Sequence, residues 1–210
     1  MDLQAHWEQL YERKAPDETR WYDPHLRTSL EWVREAAPDL SASIIDVGGG
    51  ESTLVDDLLT DGYLGLTVID LANAAILKSQ KRLGSRSQSV TWLVGDVTKA
   101  NLPFGAYDVW HDRAVFHFLI QPEQRSAYVR QLISALKSGG SVVMATFGPD
   151  GPQMCSGLDT MRYDHASLAD ILGPQFCLIQ HSIVNHRTPF GTTQQFLYCH
   201  FSFDPQKGIP

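Results

Sequence analysis

A chain of 210 residues is long enough for one α/β domain with a complete core and short for two. Its hydrophobic fraction of 43% with 20% charged residues is that of an ordinary globular protein and excludes a fibrous or disordered one. Seventeen basic residues against 24 acidic ones give a net charge of −7, which argues against a nucleic-acid partner, because phosphate binding needs a basic face.

The opening MDLQAHWEQLYERK carries acids early and has no apolar core, so it does not read as a secretory leader. No stretch approaches the roughly 18 consecutive apolar residues of a membrane span, and no membrane partner is expected. Cys155, Cys177 and Cys199 form no CxxC pair; so sparse and odd a set fits reduced thiols and a cytoplasmic location.

Residues 1–40 read as an N-terminal helical cap and 41–210 as the core of what is one domain overall. In the cap, Trp7, Leu10 and Tyr11 fall at one-turn spacing, and Leu30, Trp32 and Val33 begin a second apolar cluster. The polar loop ETRWYDPH between them holds the adjacent aromatics Trp21 and Tyr22. From Ser43 onward, short apolar runs alternate with amphipathic stretches. Ile44–Val47 is a buried-strand run closed by Gly48, Gly49 and Gly50, and Ser52 can cap a helix with Leu54, Val55, Leu58 and Leu59 on one face. Tyr63–Ile69 is a second strand ending at Asp70, and Ala72–Leu83 is helical. Val90–Val94 is a third strand, followed by Gly95 and Asp96; Tyr107–Trp110 is a fourth. Val129, Leu132, Ile133 and Leu136 make a helical stripe that Lys137-Ser138-Gly139-Gly140 terminates before a fifth strand, Ser141–Phe147. After a short helix near Ala166–Leu172, two long runs, Phe176–Val184 and Gln195–Phe203, flank HRTPFGTT, a hairpin signal. Alternating strands and helices imply a parallel sheet with right-handed crossovers, and the tail implies an antiparallel pair.

Ligands of open α/β sheets bind beyond the carboxyl ends of the strands, and polar residues collect there. Glycines 48–50 allow a sharp turn and close approach of a ligand to the backbone. Asp70 can accept hydrogen bonds from both hydroxyls of a ribose, and Asp96 from an adenine amino group. A nicotinamide-binding fingerprint, GxGxxG, would need a third glycine where this chain has Thr53. His111 and His117 are the candidate general bases, His117 lying one helical turn beyond Arg113. In the segment GPDGPQMCSGLDTMRYD, Cys155 could contact a soft acceptor, and Arg162 and Tyr163 an acidic one. The eight histidines show no HxxxH spacing, so no metal is expected.

IIDVGGGES resembles the first motif of the class I S-adenosylmethionine-dependent methyltransferases, TVIDLA their second, VGDV their third and AYDVWHDRAVFHFL their fourth. ALKSGGSVVMATF resembles their usual helix end and fifth strand, so the resemblance covers residues 40–147. The opening HWEQLYERK with ETRWYD is similar to that of a bacterial subgroup, and of some protein-lysine methyltransferases, with a W…Y…WY head. The chain departs from the family in having GGG where GxG with a central Cys or Ala is common. The resemblance implies a Rossmann-like, seven-stranded, mostly parallel sheet with helices on both faces and a C-terminal antiparallel hairpin. It implies S-adenosylmethionine as cofactor, which has no pyrophosphate and therefore no need of the third glycine. It further implies that Gly48, Gly49 and Gly50 approach the methionine portion, with Asp46 supporting the loop. Asp70 would then hold the ribose, and Leu71, Asp96 and Val97 the adenine. Asp112 and Arg113 would line the wall near the sulfonium, and Trp21 and Tyr22 would close the pocket. The expected reaction is methyl transfer to a small-molecule acceptor, with a thiol or other soft nucleophile as a candidate. The alternatives are a protein-lysine substrate, disfavoured because HDRAVF stands where an Asn/Asp-Pro-Pro-Tyr motif is usual, and a non-catalytic or NAD-binding Rossmann protein.

Overall fold

The computed structural model describes residues 2–208. Its centre is a seven-stranded sheet formed by β1 (Ser43–Val47), β2 (Gly65–Asp70), β3 (Val90–Val94), β4 (Tyr107–Arg113), β5 (Leu136–Phe147), β8 (Phe176–Arg187) and β9 (Thr193–Phe203). The spatial order is β3-β2-β1-β4-β5-β9-β8. The first five strands run parallel, and β9 lies antiparallel to both neighbours. The apolar runs explain the parallel half: Ile44, Ile45, Val47, Val68 and Ile69 are buried, as strands covered on both faces require. The order reverses at β1, which pairs with β2 on one side and β4 on the other, so the chain's natural ligand crevice opens beyond the ends of these strands.

Helices cover both faces. On one, α5 (Pro122–Ala135) and α6 (His165–Leu172) lay Tyr128, Leu132, Leu168 and Leu172 against Trp110 and Met144. On the other, α2 (Arg27–Ala36) and α3 (Leu54–Asp61) contribute Trp32, Val33, Leu54 and Leu58. Strand alternation sorts β4 between these faces: Trp110 belongs to the first cluster and Val109 to the second. None of the helices among the described residues is long and apolar enough to cross a membrane.

The two head helices take different places. α2 is packed directly on the sheet. α1 (Leu3–Arg13) stands outside it on α4 (Asn73–Leu83), capped by the Asp2 carboxylate, which accepts from the Ala5 amide at 3.2 Å. Trp7, Leu10 and Tyr11 pack on Ala72 and Ala75, and the Glu8 carboxylate accepts from the Ala74 amide at 3.1 and 3.2 Å.

Two details differ from the sequence reading. Lys137–Gly140 does not separate helix from strand: α5 ends at Ala135, and β5 begins at once. Its pairing with β4 jumps from Tyr107↔Leu136 to Val109↔Ser141, so residues 137–140 bulge out of the ladder. The segment after β5 carries structure that its glycines and prolines do not announce. It holds a small antiparallel hairpin, β6 (Met154–Cys155) with β7 (Leu158–Asp159), turning through Ser156 and Gly157 in the left-handed region.

Candidate functional site

The turn after β1 is built by its neighbours. Gly48 has φ +69°, a conformation natural to glycine, and its amide donates to the Ile69 carbonyl at 2.7 Å, tying β1 to the end of β2. The Gly50 amide donates to the Asp70 carboxylate at 3.0 Å. A Cβ on Gly50 would lie 2.6 Å from both that carboxylate and the Ala75 side chain, so α4 can approach only because the residue is glycine. Asp70 accepts a second bond, from the Ala72 amide at 2.8 Å. Burial pushes its carboxyl up to about 6, and the Ala72 and Gly50 amides oppose that rise.

Beyond these strand ends lies a cavity of about 460 Å³, in the size range of small-molecule and cofactor sites. One end is walled by Gly48, Asp70, Leu71, Asp96 and Val97. The Asp96 carboxylate is held by the Thr98 amide (2.9 Å), the Thr98 hydroxyl (2.7 Å) and Lys99 (3.0 Å). Burial raises the Asp96 carboxyl, but these partners outweigh it and keep it below the usual range. The other end is aromatic, with Trp7, Phe118, Phe147 and Phe196 around His117, Cys155 and Gln194. Trp21 bridges α1 to the site, edge-on to Trp7 at 5.8 Å and to Tyr11 at 6.2 Å. Arg113 ties this head to the sheet: it donates to the Trp21 carbonyl at 2.9 Å and the Tyr198 hydroxyl at 3.2 Å, and lies 4.8 Å over the Phe196 ring.

The cavity thus brings together Gly48, Asp70, Leu71, Asp96, Val97, Arg113, Trp21, His117 and Cys155 from the residues singled out in the sequence. Asp46, Gly49 and Tyr22 border instead a small recess of about 40 Å³ between the head and the glycine turn, which Gly48, Trp21 and Arg113 also reach. The buried Asp46 carboxylate pairs one oxygen with His111 Nδ1 at 2.7 Å, and its other oxygen has no partner among the described residues. Gly50 lines neither space and serves packing.

Four expected roles meet a different geometry. Asp112 lies on the opposite face of β4, where it accepts from the Tyr128 hydroxyl and from the amides of Val115 (2.9 Å) and Phe116 (3.4 Å); it braces the turn after β4 and does not line the cavity. His111 is buried, with Nδ1 on Asp46 and Nε2 2.9 Å from the Ser29 hydroxyl, so both ring nitrogens are engaged in joining β1, β4 and α2. Arg162 and Tyr163 border a separate open depression beside α6, with Tyr163 packed 5.7 Å from the Phe116 ring. His117 does face the cavity, with its Nδ1 lone pair already engaged. Its Nδ1 accepts from the Phe147 amide at 3.1 Å, which leaves the ring proton on Nε2. Burial, helped by the charge of Arg113, pulls its pKa down to about 3, so it stays neutral at physiological pH. Cys155 is buried, and its thiol is pushed up by burial.

Gln194, Phe196 and Phe147 escaped the sequence reading. Phe147 and Phe196 are register partners across β5 and β9, and Gln194, two residues before Phe196, lies on the same face of β9. Alternation along Thr193–Phe203 could have paired Gln194 with Phe196, but only the strand register brings them to His117. Among the described residues, no three His, Cys, Asp or Glu side chains gather as metal ligands.

A sheet in this order, with Asp70 ending β2 and Asp96 just beyond β3 beside a glycine turn after β1, is the Rossmann-like arrangement of the methyltransferase fold. Residues 44–140, a little under half of the chain, match the model of a methyltransferase domain family. It is similar to a malonyl-[acyl-carrier protein] O-methyltransferase of Paenibacillus sp., with 31% identity over 111 residues, 51% of this chain and 39% of the relative. It is also similar to the eEF1A lysine and N-terminal methyltransferase of Mus musculus, with 23% identity over 138 residues, 66% of this chain and 19% of the relative. The chain therefore spans about two fifths and one fifth of the lengths of these two relatives. In fold, the crystal structure of the Burkholderia thailandensis 1,6-didemethyltoxoflavin-N1-methyltransferase, with 1,6-didemethyltoxoflavin and S-adenosylhomocysteine bound, superposes with a TM-score of 0.77 at 17% identity, covering 96% of this chain and 87% of that one.

Proposed function

We propose that this protein transfers a methyl group from S-adenosylmethionine to a small-molecule acceptor held at the aromatic end of the cavity. The observation that carries this reading is that Asp70 and Asp96 both face one cavity beside the Gly48 turn, at the ends of adjacent strands. The residues fit the cofactor. The fixed carboxylate of Asp70 has lone pairs left for ribose hydroxyls, and Leu71, Asp96 and Val97 suit an adenine. The unpartnered, buried oxygen of Asp46 and the close-packed backbone at Gly49 suit the ammonium end. When bound, S-adenosylmethionine supplies an electrophilic methyl on positively charged sulfur. The chain's contribution is to orient the acceptor and exclude water, with Trp7, Trp21 and Phe118 walling the cavity. The Nδ1 lone pair of His117 is spent on the Phe147 amide, so a suitable acceptor arrives with a free lone pair or loses its proton to solvent.

Calorimetry with S-adenosylhomocysteine tests the cofactor site. Asp70→Ala should weaken binding about tenfold or more, since two charge-assisted bonds are lost; equal affinity rejects the assignment. A panel of phenols, lactams, thiols and small amines with labelled methyl donor tests the acceptor. The second reading, a protein-lysine acceptor, is favoured by the likeness to the mouse enzyme. Methylation confined to a folded protein substrate would establish it instead. The three free cysteines suit a reducing compartment, and we place the protein in the cytoplasm.

A further inference from the structure

At the aromatic end of the cavity, two buried polar groups have atoms without partners among the described residues: His117 Nε2, and Oε1 of Gln194. Their residues are 0% and 4% exposed, so each unmet atom carries the cost of an unsatisfied group unless a ligand answers it. The polarity of the histidine is fixed, because Nδ1 is spent on the Phe147 amide and Nε2 must carry the hydrogen. The ring cannot swing, since it is stacked on Phe147 with centroids 4.1 Å apart and planes 16° from parallel. Gln194 offers an acceptor two residues from Phe196, whose ring lies 5.1 Å from Phe147. Of the carboxylates that line the cavity, Asp70 and Asp96 wall its other end, and Asp2, at the start of α1, caps that helix by accepting from the Ala5 amide. The charged group nearest the aromatic end is Arg113, over Phe196, and the thiol of Cys155 is kept neutral by burial.

We infer that His117 and Gln194 form an acceptor-recognition pair for a flat, uncharged aromatic or heteroaromatic molecule that presents a hydrogen-bond acceptor to His117 Nε2–H and a donor to Gln194 Oε1, as a lactam or its hydroxy tautomer does. The aromatic walls supply planar contact area, and the two polar atoms fix the molecule's orientation. A primary ammonium is disfavoured by the same features: it has no acceptor for His117 and meets the field of Arg113. This inference rests on the methyltransferase reading and narrows its substrate class.

The test uses the full chain saturated with S-adenosylhomocysteine and three probes: 2-quinolinone, its N-methyl derivative, and 1-naphthylmethylamine. The lactam should bind, and the other two at least tenfold more weakly. His117→Phe, which keeps the stack but removes the N–H, should weaken lactam binding about tenfold, and His117→Gln, which restores an N–H, should recover it to within about threefold. Gln194→Leu should abolish the preference for the lactam over its N-methyl derivative. In the unmodified protein, nitrogen-15 spectra should show His117 as the Nε2–H tautomer from pH 5 to 8, with the Nε2–H resonance moving on addition of the lactam; this readout stands even where a variant fails to fold. A lactam that does not bind, an amine that binds as well, or an imidazolium at His117 at pH 7 overturns the proposal while cofactor binding is intact. Failure of the unmodified protein to bind S-adenosylhomocysteine overturns the underlying reading instead.

Discussion

Asp70, Asp112 and His117 are buried ionisable groups within one short stretch of fold, and their charges respond to acid in opposite directions. Burial lifts both carboxyls to about 6, so the native state holds their protons more tightly than the unfolded chain does. Their contribution to stability therefore grows as pH falls from about 6 towards 4. His117 is the reverse case. Its folded pKa of about 3 lies below the usual 6.5, so the stability it contributes is complete above 6.5 and is lost as pH falls towards 3. Urea unfolding of the wild type and His117→Phe at pH 7, 6 and 5 isolates this effect. The stability of the wild type relative to the variant should fall by about 1.4 kcal/mol per pH unit below 6; a constant difference would mean the ring is solvated. Asp70 gives a second pH signature. Affinity for S-adenosylhomocysteine should decline as pH drops through 6, where the carboxylate takes up a proton, and Asp70→Asn should flatten that dependence.

At the scale of elements, the glycine turn and the two helices beside it form one packed unit. Gly50→Ala forces its methyl against Ala75 and Asp70 and should cost about 1–3 kcal/mol of stability, read as a lower urea midpoint with unchanged slope. The strands ending in Asp70 and Asp96 could be read from the sequence because each is a short apolar run stopped by a polar residue. The bulge at 137–140 could not: Lys-Ser-Gly-Gly is the same signal whether it ends a helix or opens a kink within a strand, and only pairing with Tyr107 and Val109 separates the two. The same limit explains Asp112. Its place after β4 was readable, but strand alternation turns it toward Tyr128 and leaves the cavity to Arg113. Arg162 and Tyr163 follow β5 in sequence as expected, yet the β6–β7 hairpin carries the chain past the cavity, and the Tyr163 amide returns to the Phe147 carbonyl at 2.9 Å.

Across the whole molecule, the parallel half of the sheet supplies the polar end of the cavity and the antiparallel half supplies its aromatic end. The first half was visible as motifs because each group follows its own strand. The second was not, because Phe147, Gln194 and Phe196 meet through a register that joins residues nearly fifty positions apart, and no local pattern records it. α1 completes the enclosure, with Asp2, Leu3, Gln4 and Trp7 at the cavity wall. Removing residues 1–14 should leave the circular dichroism of the sheet in place while weakening S-adenosylhomocysteine about tenfold or more. Retention of full affinity would show α1 to be dispensable.

The peripheral seat of α1 has a kinetic consequence. This helix is held by the Trp7–Tyr11 cluster with Trp21 and Phe118, by Glu8 on α4 and by the Lys78 ammonium on the Lys14 carbonyl, all outside the sheet, whereas β1, β4 and β5 lie at the centre of the core. Its amides should therefore exchange with deuterated solvent through a local opening far less costly than global unfolding. Since that opening dismantles a wall of the site, a ligand that binds only the closed form must slow exchange in α1 by the factor 1 + [L]/Kd, while the central strands change less. A plot of α1 exchange rate against ligand concentration thus reads out affinity with no need for turnover.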